Sequence, residues 1–241
     1  YARRVPEPNE LPILYRDDHI VAVSKPSGML VHRSEKAPDR KVVLQTLAAQ
    51  LGQYVYPVQR LDRGTSGVLV FGLSSRDAGL LQAALASERA TKTYAALARW
   101  PTDAAPEPRF ECRRPLRNTQ GEPRPAHTEF EAIEFFERCA LLRCRLYTGR
   151  FHQIRRHLNH CARHVIGDTT HGKGRINAEF RERFGLHRLF LHAARLRFEH
   201  PVLDLPIDLM DPLPRDLLDV LARLRTAQGA AGAEPRSAGA E

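Results

Sequence analysis

The sequence predicts an α+β domain built around one large mixed β-sheet. Three observations carry this. Segments with strand-like patterning outnumber those with helical spacing, and the connections between them are too irregular for a repeated βαβ arrangement. No linker, internal repeat or low-complexity block divides the chain before its last residues. At 241 residues the chain is long enough to bury a core of its own.

Residues 1–10 are polar and proline-rich and are expected to form a loose arm, so the domain proper is placed at 11–225. Residues 11–15 and 20–24 flank a turn at Asp17 and Asp18 and predict a hairpin. Lys25-Pro26-Ser27-Gly28 then turns the chain, because Pro fixes φ and Gly accepts positive φ. Residues 42–51 carry Val43, Leu44, Leu47 and Leu51 at helical spacing and stop at Gly52, a good C-cap. Residues 67–72, GVLVFG, read as a short, fully buried strand. Ser74 or Ser75 is placed to cap the next helix, which carries Leu80, Leu81 and Leu85. Residues 91–99 and 128–137 predict strands, and 141–147 alternates as a half-buried strand should. Residues 149–161 switch to helical period, with Ile154, Leu158 and Cys161 on one stripe. A further strand is predicted at 189–198 and a short closing helix at 217–224. Residues 226–241 are rich in Ala, Gly and Glu with almost no large apolar side chain, and are expected to be disordered.

Lys and Arg number 37 against 28 Asp and Glu, a formal charge of +9. That surplus favours a polyanionic partner. The basic residues cluster as Arg113, Arg114, Arg117 and Arg124, and as Arg150, Arg155, Arg156 and Arg163. The planar guanidinium suits phosphate and stacks on bases, which points to nucleic acid. No apolar run approaches a membrane span, and the first residues have no signal-like apolar region, so a cytoplasmic protein without a membrane partner is expected. Cys112, Cys139, Cys144 and Cys161 include no C-x-x-C pair. Cys139 and Cys144 lie five apart on a strand-like run and should face opposite ways, which argues for buried thiols rather than a metal site with Cys161 and His164. His152 and His160 are more than two helical turns apart, too far for one ion, so no metal is expected.

Three stretches can carry chemistry. Arg60-Leu61-Asp62-Arg63-Gly64-Thr65-Ser66-Gly67 sets a carboxylate in a tight loop between two arginines, and its glycines permit close approach of a ligand backbone. A loop fixed by a buried strand is a common home for catalytic residues. On these residues alone, an Asp that merely satisfies turn N–H groups is an equal reading. Residues 149–158 offer helix-start N–H groups and Arg150 to a phosphate, and Arg155 lies off the apolar stripe where it can reach a cleft. A basic solvated face is the plainer reading there. Tyr94, in Lys92-Thr93-Tyr94, is either a core aromatic or a platform for a base.

Across about residues 13–209 the chain resembles the RluA-type pseudouridine synthases. The matching segments are VAVSKPSGMLVHRS, RLDRGTSGVLVFGLSS, KTYAAL, TGRFHQIRRHL, IGDTTHG and LFLHAARL, in the family's order. KPSGMLVHRS, GVLVFGLSS and FGLHRLFLHAARL look most like the bacterial tRNA pseudouridine-65 synthase branch. The resemblance implies a single catalytic domain with a mainly antiparallel sheet and flanking helices, the pseudouridine synthase fold. It implies isomerisation of a uridine in structured RNA, most of all U65 of tRNA, by base flipping. It assigns catalysis to Asp62, Tyr94 and Arg155 and places Arg60 in the gap left by the flipped nucleotide, while Arg63, Arg150 and Arg156 are read as further RNA contacts from their charge. It calls for no cofactor, no metal and no obligatory protein partner. One departure is Gln59, where the family usually has His before R-L-D. The alternatives are a ribosomal-RNA pseudouridine synthase of the same family, a non-catalytic RNA-binding protein, and a metal-dependent nuclease using Asp17, Asp18 and Asp62.

Overall fold

A computed structural model describes residues 10–33, 42–101 and 105–233, so all but Glu10 of the expected N-terminal arm lies outside the described residues. The first hairpin pairs β1 (Ile13–Arg16) with β2 (Ile20–Lys25). Asp17 fastens its turn by accepting from the N–H groups of His19 and Ile20, each at 2.8 Å. Helix α1 (Val43–Leu51) buries Val43 and Leu47 and ends at Gly52, whose left-handed φ of 68° lets its amide turn back to the last carbonyls. The short β3 (Tyr56–Pro57) leads to β4 (Ser66–Gly72), in which every residue is buried. Of the two candidate caps, Ser74 is the one that accepts from the Asp77 N–H, at the start of α2 (Ser75–Ala86).

Strand β5 (Thr91–Arg99) matches its sequence reading. It is followed by β6 (Arg109–Cys112), β7 (Leu116–Arg117), β8 (Pro123–Arg124), β9 (Thr128–Phe135) and β10 (Cys139–Leu146). Then come α3 (Gln153–His160), α4 (Gly174–Phe184), β11 (Leu191–Glu199), β12 (Pro206–Met210) and α5 (Arg215–Ala233).

The main sheet runs β1-β2-β4-β11-β5-β10-β9-β6, with β12 added against β11 and β3 against β4. Its pairings are antiparallel except β4 with β11, which is parallel. The mixed, mainly antiparallel sheet is therefore as expected. Strands β7 and β8 form a separate small hairpin.

Helices cover both faces. Val21, Val23, Leu69 and Phe71 pack under α1, while the alternate residues Ile20, Ala22, Val68 and Val70 meet α2 on the other side. Ala96, Ala98, Leu142 and Cys144 pack under α3, while Leu97, Cys139 and Leu141 meet α4 and α5. Cys139 and Cys144 thus face opposite ways. Tyr94 packs against the α1 cluster and the α3 cluster alike, which places it in the seam between those two helices.

Three helices differ from their sequence reading, and strands β3, β6, β7, β8 and β12 have no counterpart in it. The helix expected from residue 149 begins at Gln153, because the Gln153 side chain accepts from the Arg150 N–H and the Thr148 hydroxyl and holds residues 148–152 as a turn. Helix α4 was not foreseen, although Ile176, Phe180 and Phe184 do recur at four-residue spacing on its inner face. Helix α5 runs to Ala233, through the first half of the tail expected to be disordered. Alanine is the best helix former, so a segment poor in large apolar residues can still extend a helix already docked through Leu217, Val220 and Leu221. Residues 234–241 lie outside the described ones.

Candidate active site

Asp62 sits at the tip of the turn that feeds β4, closed by a bond from the Thr65 N–H to the Asp62 carbonyl at 3.0 Å. Lys25 holds this turn from below. Its ammonium is fully buried and donates to the carbonyls of Pro26, Arg63 and Thr65, at 2.9, 3.2 and 2.7 Å. The Ser27 hydroxyl donates to the Gly64 carbonyl, and the Gly28 N–H to the Arg63 carbonyl. The KPSG turn is thus a clasp on the loop that carries Asp62. Burial pushes the Lys25 ammonium down to about 7, and the charge of Asp62 opposes that shift.

One glycine of this region, Gly67, has a role other than the one read from sequence, whereas Gly64 lines the cleft. Gly67 has φ +116°, and a Cβ there would stand 2.3 Å from the Ala193 carbonyl oxygen. The close approach is to β11, not to a ligand. It lets Ser66 and His192 pair across the two parallel strands.

Arg155 comes up from α3 and is buried. Its Nε and Nη2 donate to the two carboxylate oxygens of Asp168, each at 2.7 Å, and its Nη1 donates to Oδ2 of Asp62 at 3.0 Å. Asp168 also accepts from the N–H groups of Thr170 and His171, both at 2.9 Å. Burial alone would raise its pKa, but these donors bring it down to about 2. Asn177 on α4 locks the same turn, donating to the Asp168 carbonyl and accepting from the Gly167 N–H. Tyr94, opposite Cys144 on one side and Ala193 on the other, completes the floor. Burial, and then the charge of Asp62, push its phenol well above the ordinary range, so it is protonated at neutral pH.

These groups open onto a cleft of about 1200 Å³. Asp62, Tyr94, Arg155, Arg60, Arg63 and Arg150 all line it, as does Gln59. Arg156 does not line it: its Nη1 donates to the carbonyls of Arg117, at 3.0 Å, and Phe151, at 3.4 Å, tying α3 to the small hairpin. Asp17 is engaged in the first hairpin turn and is absent from the cleft wall, so the three carboxylates of a nuclease are not assembled. The histidines in and just before α3 diverge as well: His157 is buried against Thr128 and the Arg114 carbonyl, whereas His152 faces the cleft. One cluster, Glu111, His127 and Glu129, has ligand atoms within 4.8 Å of one another. It lies off the cleft wall, with Glu111 held by Arg113 and Glu129 by Tyr147. The sequence reading missed Lys25, Asp168 and His171. Their signals were weak: a lysine ending an apolar strand, and one carboxylate and one histidine inside IGDTTHG.

Among the described residues no helix is long and apolar enough to cross a membrane. The RNA pseudouridylate synthase family model matches residues 19–160. A tRNA pseudouridine synthase C of Vibrio parahaemolyticus is 40% identical over 213 residues, covering 80% of this chain and 87% of that protein. One of Salmonella typhi is 38% identical over 232 residues, covering 88% and 89%. Among solved structures, human RNA pseudouridylate synthase domain containing 4 aligns with a TM-score of 0.72 at 23% identity, over 88% of this chain and 92% of that one, which is a likeness of fold. A carboxylate on a guanidinium in a basic cleft, on this sheet and with these matches, leads to one conclusion: the chain belongs to the RNA pseudouridylate synthase family and is an RNA pseudouridine synthase.

Proposed function

We propose that the protein converts one uridine of tRNA, at position 65, to pseudouridine, with Asp62 as the reacting carboxylate and the uridine turned out of its helix. The observation that carries this is Asp62 held 3.0 Å from Arg155 on the floor of a cleft shared with Tyr94 and rimmed by arginines. The choice of tRNA is supported by relatives near 40% identity that carry the name tRNA pseudouridine synthase C. Position 65 rests on the branch-like motifs of the sequence.

The reaction breaks the N1–C1′ bond, turns the detached uracil and joins C5 to C1′. It involves no redox change and no net hydrolysis, so these residues need no cofactor for it. A stacked uridine is out of reach of Asp62, and extruding it costs a few kcal/mol, offset by contacts in the pocket. Tyr94 supplies a ring for the base. Arg60, exposed on the rim, is placed to fill the vacated stack, with Arg63 and Arg150 toward phosphate. Arg156 and the exposed Arg113, Arg114, Arg117 and Arg124 extend a basic surface beyond the cleft. Asp62 acts by attack on C1′, by attack on C6, or by removing the 2′ proton. The protonated phenol of Tyr94 favours its use as a platform over its use as the base that takes the C5 proton.

Asp62→Asn tests the chemistry. The variant is expected to fold and bind tRNA but release no tritium from C5-labelled uridine, and retained turnover removes Asp62 from its role. Mapping pseudouridine in RNA from cells lacking the protein tests the target. Loss at tRNA position 65 is expected, and loss confined to ribosomal RNA overturns it.

A further inference from the structure

His152 stands between the reacting carboxylate and a second histidine. Its Nε2 lies 3.7 Å from Oδ2 of Asp62, and its Nδ1 lies 3.0 Å from Nε2 of His171. The ring is stacked on Phe151 at 3.7 Å and meets the His171 ring edge-on at 5.2 Å, so its orientation is fixed on two sides. It occupies the N-cap of α3 in the left-handed conformation, φ 53° and ψ 30°, yet its side chain makes no capping bond. The side chain is thus directed into the cleft rather than to the helix end.

The neighbours decide where the protons are. Burial pushes both histidines below the ordinary range. Arg155 adds to that for both, while Asp62 and Asp168 oppose it. Each ring is neutral at neutral pH and carries one N–H. A carboxylate repels a bare ring nitrogen, so the His152 proton belongs on Nε2, facing Asp62. Nδ1 is then bare and accepts from the Nε2–H of His171. Both protons point the same way, toward the cleft. A hydrogen bond accepted at Nδ1 draws electron density from the ring and strengthens Nε2–H as a donor. This is the reverse of a ring whose Nδ1–H is given to a carboxylate, which becomes a base. At 3.7 Å the Nε2–H is aimed at Asp62 without being consumed by it.

We propose that the Nε2–H of His152 donates a hydrogen bond to a carbonyl oxygen of the target uracil, with His171 as its positioning residue. This deepens the reading above and rests on it. As the N1–C1′ bond breaks, its electron pair passes to the uracil, and the charge is shared with O2 and O4. A fixed donor at one of these oxygens stabilises the detached base. The proton stays on His152 throughout. The charge is consumed when C5 bonds C1′, and the proton that C5 then loses to solvent is balanced by the one N1 takes up.

The test compares a synthetic RNA stem-loop bearing the mapped target uridine with the same RNA carrying 2-thiouridine or 4-thiouridine there, because sulfur is a poor acceptor. Single-turnover rates are measured for the unaltered protein, His152→Asn and His171→Phe. Asn accepts the left-handed backbone and removes the ring. The unaltered protein is expected to slow about tenfold on one of the two thio substrates. His152→Asn should lose about 100-fold on the oxygen substrate, the scale of one oxyanion donor, with little further loss on the thio substrate. His171→Phe should lose about tenfold and show a reduced thio effect. RNA affinity and melting temperature should stay near those of the unaltered protein. A thio effect undiminished in His152→Asn, or equal rates for both proteins on the oxygen substrate, overturns the proposal. Failure of the unaltered protein on the oxygen substrate instead overturns the underlying reading of its target.

Discussion

Arg155 gives two N–H groups to Asp168, each at 2.7 Å, and one to Asp62, at 3.0 Å. The guanidinium is anchored by one carboxylate and offered to the other. Asp168→Ala leaves a buried cation without its anchor and is expected to cost about 3–5 kcal/mol together with turnover. Asp62→Asn keeps the anchor and should cost less than about 1 kcal/mol. Urea denaturation of both variants checks this, and equal midpoints would show that Asp168 is dispensable to the fold.

Two glycines should respond to alanine with opposite signs. At Gly67 a Cβ would meet the Ala193 backbone at 2.3 Å with φ +116°. The two central strands must part, so Gly67→Ala should cost several kcal/mol and abolish activity. At Gly79, inside α2, a Cβ has nothing within 4 Å. Gly79→Ala should stabilise by about 0.5–1 kcal/mol with activity unchanged. Thermal melts of the two proteins provide the comparison.

Acid should destabilise the protein well before its surface carboxylates titrate. Burial holds His157, His164 and His192 below the ordinary histidine value of about 6.5, as it does His152 and His171. Between the folded and unfolded values, the unfolded chain binds a proton that the native state refuses. The stability these neutral rings confer is therefore full above pH 6.5 and is lost as pH falls below it, at up to about 1.4 kcal/mol per pH unit for each ring. Lys25, pushed down to about 7, gives the same sign between there and its unfolded value of 10.5. The melting temperature should fall steadily from pH 7.5 to 5.5; a flat profile counts against neutral buried rings.

The arginines of the rim should separate by salt dependence. Arg150→Ala is expected to weaken RNA binding and lower the slope of log K against log salt by about 0.7–0.9, one phosphate contact. Arg60→Ala, if its guanidinium fills the space of the flipped base, should slow turnover and leave that slope unchanged. Binding measured from 50 to 200 mM salt distinguishes them.

Much of this was legible in the sequence where a local pattern had a single physical solution. GVLVFG could only be a doubly buried strand, and the stop at Gly52 follows from its tolerance of a left-handed turn. Asp62 and Arg155 stood out because each lies in a distinctive motif. What was not legible depends on contacts across the chain. Nothing near Lys25 tells that its ammonium will meet the carbonyls of Arg63 and Thr65, some 40 residues on. The role of Gly67 is set by Ala193, and that of Asp168 by Arg155 and Asn177. The tail misled for a different reason. Alanine-rich sequence is poor in core-forming side chains but rich in helix propensity, and α5 was already anchored.

Strand β11 lies between β4 and β5, although those two are neighbours in sequence and β11 comes about a hundred residues later. On a ribosome making 5–20 residues per second, β4 and β5 must wait roughly 5–20 seconds for the strand that joins them. During that interval their inner edges are unpaired templates for the wrong partner. The nascent enzyme is therefore most in need of a chaperone between the emergence of β5 and that of β11, and a chain cut short before β11 has Asp62, Tyr94, Arg155 and Asp168 but no working cleft.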